Sequence, residues 1–199
     1  MPRHKGDHDA RRRDVSAAVW RVLARCGFDG LTLRAVAAEM GATTGLVTHY
    51  FPSKRDLVEH ALTLLDERRA AQPGTGAPEG IATVRALMLD ILPLTAQAAA
   101  DNRIWVSSWD PALADADLTA GHARRYARSR ERIAAQVRIA QRRGELPPSD
   151  PDDTAATLLA FVLGLIVQAL LDGAEFTPAR QIRILDGYLD ALRRGAVPR

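Results

Sequence analysis

Apolar residues return at helical spacing along most of the chain, and no β-branched alternation is long enough to compete as a strand. The pattern predicts an all-α protein. Val15, Ala18, Val19, Val22 and Cys26 form the inner stripe of a first helix over about residues 9–25, which Gly27 and Gly30 end. Thr32 caps a second, two-turn helix with Leu33, Val36, Ala37 and Met40 facing inward, and Gly41 terminates it. Thr43 or Thr44 then caps a third short helix through Tyr50, which Pro52 stops. Ser53 with Asp56 resembles a capping box opening a fourth helix, with Leu57, Ala61, Leu64 and Leu65 inward and Glu67, Arg68 and Arg69 at its exposed end. Residues 72–78 carry two Pro and two Gly without periodicity and read as a connection. Further helices are predicted over 79–92, 97–109, 112–143, 152–172 and 178–194, with Pro93, Pro111, Pro147, Pro148, Pro151 and Pro178 at the junctions.

The 199 residues, 47% of them hydrophobic, suffice for one large or two small cores and exclude general disorder. Cys26 is the single cysteine, so no internal disulfide forms, and the expected compartment is the cytoplasm. Residues 1–13 are polar and basic, without the apolar run of a signal peptide. Charge is uneven: residues 1–55 hold ten Lys/Arg against five Asp/Glu, and the remainder 17 against 19. An anionic partner for the front segment follows, nucleic acid or membrane surface, with a solvated basic face as the plain alternative.

Chemistry concentrates in residues 31–56, LTLRAVAAEMGATTGLVTHYFPSKRD. A helix starting at Thr43 or Thr44 puts Thr44 and Thr48 on one face, with Gly45 and His49 beside them. Small hydrogen-bonding groups suit entry into a major groove, while Val47 and Phe51 turn to the core. Thr43, Tyr50 and Lys54 bracket the helix within reach of phosphates, Lys54 assisted by the backbone N–H groups opening the fourth helix. The segment resembles the DNA-binding domain of the TetR family of bacterial transcriptional regulators across residues 14–61. The matching features are the approach at 27–32, the ladder Leu33, Val36, Ala37 and Met40, the turn glycine Gly41, the string from Thr44 to Phe51, and Lys54-Arg55-Asp56-Leu57. Gly45, Thr48, His49 and Tyr50 look most like the choline-responsive regulators of betaine synthesis, and Thr48 departs from the many members with a backbone-contacting tyrosine there.

The resemblance implies a three-helix, homeodomain-like helix-turn-helix domain in residues 1–70, including the start of a connecting helix, and a helical effector-binding and dimerisation domain in 71–199. DNA contacts are expected at Arg34, Thr43, Thr44, Gly45, Leu46, Thr48, His49, Tyr50 and Lys54. Arg34 is expected to grip guanine or phosphate, with a plain surface arginine as the alternative; Arg11, Arg12 and Arg13 add nonspecific attraction or nothing measurable. The string from Asn102 to Trp109 resembles the C-terminal domain of the betaine-regulator group. Trp105 and Trp109, taken as i, i+4 neighbours on one helix face, with Met88, Leu92, Tyr126 and Phe161, are candidates for an effector cavity or for ordinary core. A cationic effector would lie on the tryptophan faces with Asp90 or Asp110 balancing its charge, and Gln168 is expected to make a cross-dimer or backbone hydrogen bond, with an effector contact as the alternative.

Residues 154–171 are apolar enough to raise a membrane span, but Thr154, Thr157 and Gln168 and the missing aromatic and basic flanks favour burial against the chain's own domain and a second copy. A homodimer through helices near 152–172 and 178–194 follows. Gly74, Gly76 and Gly80 follow no strand and are poor as a dinucleotide fingerprint; they read as a flexible loop. The Gly-x-Ser-x-Gly, His-Glu-x-x-His and phosphate-loop motifs are absent. Asp115 and Asp117 open like a calcium loop, but Ala120 and Tyr126 occupy its glycine and glutamate positions. His4, His8, His60 and His122 show no ligand spacing, so neither metal nor cofactor is expected. The expected function is an operator-binding, effector-released regulator, with double-stranded DNA, itself and a small molecule as partners and no membrane. Its rivals are a helical small-molecule binder or enzyme without specific DNA binding, and a nonspecific DNA binder.

Overall fold

The computed structural model describes residues 4–28, 30–70 and 76–196, the side chains of 4–12 and 65–70 excepted. Ten helices are present among them and no strand: α1 (His4–Cys26), α2 (Leu33–Glu39), α3 (Thr44–Tyr50), α4 (Lys54–Ala70), α5 (Ile81–Ile91), α6 (Ala96–Ser107), α7 (Trp109–Ala114), α8 (Ala116–Arg142), α9 (Pro151–Leu171) and α10 (Pro178–Arg193). The side chains of Arg11, Arg12, Leu65, Glu67, Arg68 and Arg69, and the glycine at 74, lie outside the described residues. Two compact units form, Met1–Gln72 with Arg103–Gly121, and Pro73–Asn102 with His122–Arg199. Helices α6 and α8 therefore each supply residues to both.

In the first unit α1 packs on α2 and α4, and α2 on α3. Val15, Val19, Val22, Phe28, Leu31, Val36, Val47 and Leu57 make its core. Cys26 leaves the predicted stripe and is exposed: it closes the last turn of α1, after the buried row has ended at Leu23.

In the second unit α5 packs against α9 and α10, burying Ile81, Val84, Met88, Leu158, Val162, Leu185 and Leu189. Gly80 is not part of a flexible loop. It caps α5 at φ 95°, where a Cβ would collide with the Glu145 carboxylate, and that carboxylate accepts the Ile81 N–H at 2.8 Å. Among the described residues α9 is long and apolar enough to cross a membrane, by length and composition. One side, from Ala155 to Ala169, is buried in the unit; Gly164, Gln168 and Leu171 are exposed.

The predicted helix over 112–143 is two helices. Asp115 leaves helical geometry at φ −131° and ψ 120°, and its Oδ1 accepts the Asp117 and Leu118 N–H groups at 3.0 Å, capping α8. Pro111 marks no junction: it lies in the first turn of α7, where a missing N–H leaves nothing unpaired. A one-residue turn at Ser108, still in right-handed helical geometry at φ −80° and ψ −10°, separates Trp105 in α6 from Trp109 in α7. Trp105 O accepts both the N–H of Ser108, at 3.1 Å, and its hydroxyl, at 2.6 Å, ending α6.

Candidate nucleic-acid interface

The turn between α2 and α3 is built by local capping. Thr32 accepts the Ala35 N–H at 3.0 Å and opens α2. At its far end the Gly41 N–H donates to Ala38 O at 3.1 Å and the Ala42 N–H to Ala37 O at 2.9 Å, a Schellman closure around Gly41 at φ 61°. Thr43, rather than Thr44, caps α3, accepting the Leu46 N–H at 3.4 Å. Glu39 at the end of α2 holds α1: its carboxylate accepts from Arg21 Nε at 2.6 Å and Arg25 Nη1 at 2.8 Å. Hydrogen bonds from Arg21 and Arg25 keep the Glu39 carboxyl below the ordinary glutamate range. The Arg25 guanidinium is raised in turn, first by Glu39 and then by the Cys26 side chain.

With Val47 and Phe51 in the core, α3 turns Thr44, Gly45, Thr48 and His49 to solvent. Leu46 and Tyr50 are half-buried, and the His49 and Tyr50 rings meet edge-on at 5.2 Å. Arg34, Thr43 and Lys54 are exposed on the flanking segments. All nine residues predicted to meet DNA thus lie in or beside the α2–turn–α3 unit and the start of α4, none fully buried. At position 48 the structure adds a bond along the helix: Thr48 Oγ1 donates to Thr44 O at 2.9 Å. An exposed rod of small polar groups, flanked by Arg34 and Lys54, fits a major groove and its phosphate rims.

The residues predicted for an effector fall in different surroundings. In the first unit Trp105 is 4% exposed, and Trp109 is half-buried, its Nε1–H enclosed without a hydrogen-bond partner among the described residues. In the second, Met88 and Leu92 are core residues, and Tyr126 lies with its ring 6.1 Å from that of His122. Phe161 stacks on Tyr188 of α10 at 4.2 Å, and Gln168 is exposed. Asp110 is exposed, and partial burial raises the Asp90 carboxyl against the pull of Arg132. No cluster of His, Cys, Asp or Glu among the described residues is arranged to hold a metal.

Residues 16–61 match the pattern of bacterial regulatory proteins of the tetR family, and residues 80–194, more than half of the chain, that of the C-terminal region of BetI-type transcriptional repressors. The chain belongs to the TetR family. This TetR-family chain is 26% identical over 191 residues to the regulator BetI of Burkholderia thailandensis, covering 94% of this chain and 95% of that one. It is 25% identical over 190 residues to the regulator PksA of Bacillus subtilis, covering 94% and 91%. A solved regulator from Saccharomonospora viridis in complex with choline has the same fold, with TM-score 0.81, 23% identity and coverage of 92% of this chain and 96% of that chain. The protein is a ligand-responsive transcriptional regulator that binds DNA, and not an enzyme.

Proposed function

We propose that the TetR-family chain works in the cytoplasm as a homodimer, setting its two α3 helices in successive major grooves of a pseudo-palindromic operator and repressing from there. The observation carrying this reading is the exposed face of α3, held outward by buried Val47 and Phe51 and by a capped turn. Dimeric readers of this kind need recognition helices about 34–36 Å apart, one turn of duplex. The outer side of α9 and α10 supplies a dimer face: Leu171 is 83% exposed, and nothing approaches within 4 Å of a Cβ placed on Gly164 or Gly187. On this reading Phe161 and Gln168 serve that face, while Trp105 and Trp109 of the first unit serve the effector.

The effector is a small quaternary-ammonium alcohol of the choline class. Tryptophan faces attract such cations, and the Trp109 N–H, without a hydrogen-bond partner among the described residues, suits the alcohol oxygen. The BetI-type C-terminal half and the choline held by the Saccharomonospora relative point the same way. Release follows if the ligand prefers a conformation that binds the operator poorly. Selecting bound duplexes from a random pool, then eluting with choline, tests the reading. A symmetric enriched site that choline elutes supports it; no enrichment over random duplex at physiological salt overturns it, leaving a nonspecific binder.

A further inference from the structure

The two threonines on the exposed face of α3 are chemically alike and about 6 Å apart along the helix, yet their hydroxyls stand differently. Thr48 Oγ1 donates its hydrogen to Thr44 O at 2.9 Å. A hydroxyl has one hydrogen, so Thr48 offers the groove its γ-methyl and residual acceptor capacity, and no donor. The Thr44 hydroxyl has no partner among the described residues and both donates and accepts.

We infer that Thr48 reads the 5-methyl group of a thymine in each operator half-site, while Thr44 reads base edges through its hydroxyl. Guanine O6 and N7 and thymine O4 all require a donor, which Thr48 lacks unless it breaks its bond to the helix; the adenine and cytosine amino groups can reach only its remaining oxygen lone pairs, and the deoxyuridine test below separates that contact from a methyl contact. The groove feature that asks for no hydrogen bond is the thymine methyl, and a threonine methyl is a fitting apolar partner for it. The same bond fixes the Thr48 rotamer before DNA arrives, so the methyl is presented without ordering on contact. The inference rests on the operator-binding reading above and names the chemistry of one position within it.

The test uses the full-length protein and its selected operator, with each thymine replaced in turn by deoxyuridine, which lacks only the methyl. One symmetric pair of thymines should matter to the wild-type protein, with about fourfold weaker binding for each methyl removed, the effect of losing one buried methyl contact. Thr48→Val keeps the methyl and should keep the deoxyuridine effect. Thr48→Ser keeps the hydroxyl and should bind thymine and deoxyuridine operators alike. At position 44 the order reverses: Thr44→Ser preserves the sequence preference and Thr44→Val relaxes it. Both positions are exposed, and thermal melting equal to wild type confirms that each of the four variants folds. Indifference of the wild type to every deoxyuridine, or a Thr48→Val variant weakened while Thr48→Ser is not, overturns the inference and leaves the operator reading standing. Failure to select any duplex overturns both.

Discussion

Ser53 and Asp56 clasp each other at the entrance to α4. Asp56 Oδ2 accepts the Ser53 N–H at 2.9 Å and its hydroxyl at 2.6 Å, and the Asp56 N–H donates back to Ser53 Oγ at 3.2 Å. The clasp fixes where α4 begins and so where its first two residues, Lys54 and Arg55, emerge. Arg55 pairs with Asp117 at 2.7 Å, and Lys54 stands exposed four residues past the end of α3. Asp56→Ala should cost about 1 kcal/mol of stability, the ordinary worth of a cap. Operator affinity should fall further than the melting curve accounts for, because Lys54 loses its fixed origin; calorimetric melting beside a binding titration measures both.

Lys54 and Thr44 should fail differently. Lys54→Ala removes a phosphate contact, so binding weakens on every duplex alike and the slope of log K against log salt falls by about 1 for each protomer. Thr44→Ala leaves the phosphate contacts in place, so the salt slope stays and preference at one operator position relaxes. Binding to operator and scrambled duplex at several salt concentrations separates the two. Equal loss on both duplexes for both variants would contradict the division of labour.

The helix-turn-helix was legible because its instructions are local. Thr32, Gly41, Thr43 and the Ser53–Asp56 pair each act within five residues of their partners, and a sequence displays such spacings directly. Asp115 acts equally locally, but Pro111 offered a more conspicuous break four residues earlier, and proline tolerated in a first turn is easily mistaken for one that ends a helix. The clamp of Glu39 on Arg21 and Arg25 spans 18 and 14 residues, and no periodicity announces it. The Thr48 bond was within reach: a threonine inside a helix habitually bonds the carbonyl four residues back.

Acid should loosen the α1–α2 contact before neutral conditions show any sign of it. Because Glu39 holds its proton less tightly folded than unfolded, its contribution is complete above the unfolded value of about 4.3 and vanishes as pH falls through the lower folded value. Asp150 is lowered too, by the backbone N–H groups of Asp153 and Asp152, so wild-type stability falls in the same window for two reasons. Glu39→Gln isolates one: the difference in melting temperature between wild type and variant should shrink as pH is lowered through that window and be constant from pH 6 to 8. A difference that grew on acidification would remove the ion pairs from the account.

The exposed side of α9 gives the sharpest test of assembly. Leu171 stands 83% exposed at the end of a helix whose opposite side is buried, and a charge there leaves the core untouched. In a twofold interface each substitution occurs twice, so Leu171→Glu loses two buried leucines, about 1.5–3 kcal/mol each, before counting the repulsion or desolvation of the carboxylates. That is roughly a hundredfold or more in the dimer dissociation constant. Sedimentation should show monomer at concentrations where wild type is dimeric, with unchanged helical circular dichroism. Operator binding should become concentration-dependent, since a lone protomer keeps one half-site contact and loses the linked second one. A variant that stays dimeric with wild-type operator affinity would move the interface away from this end of α9.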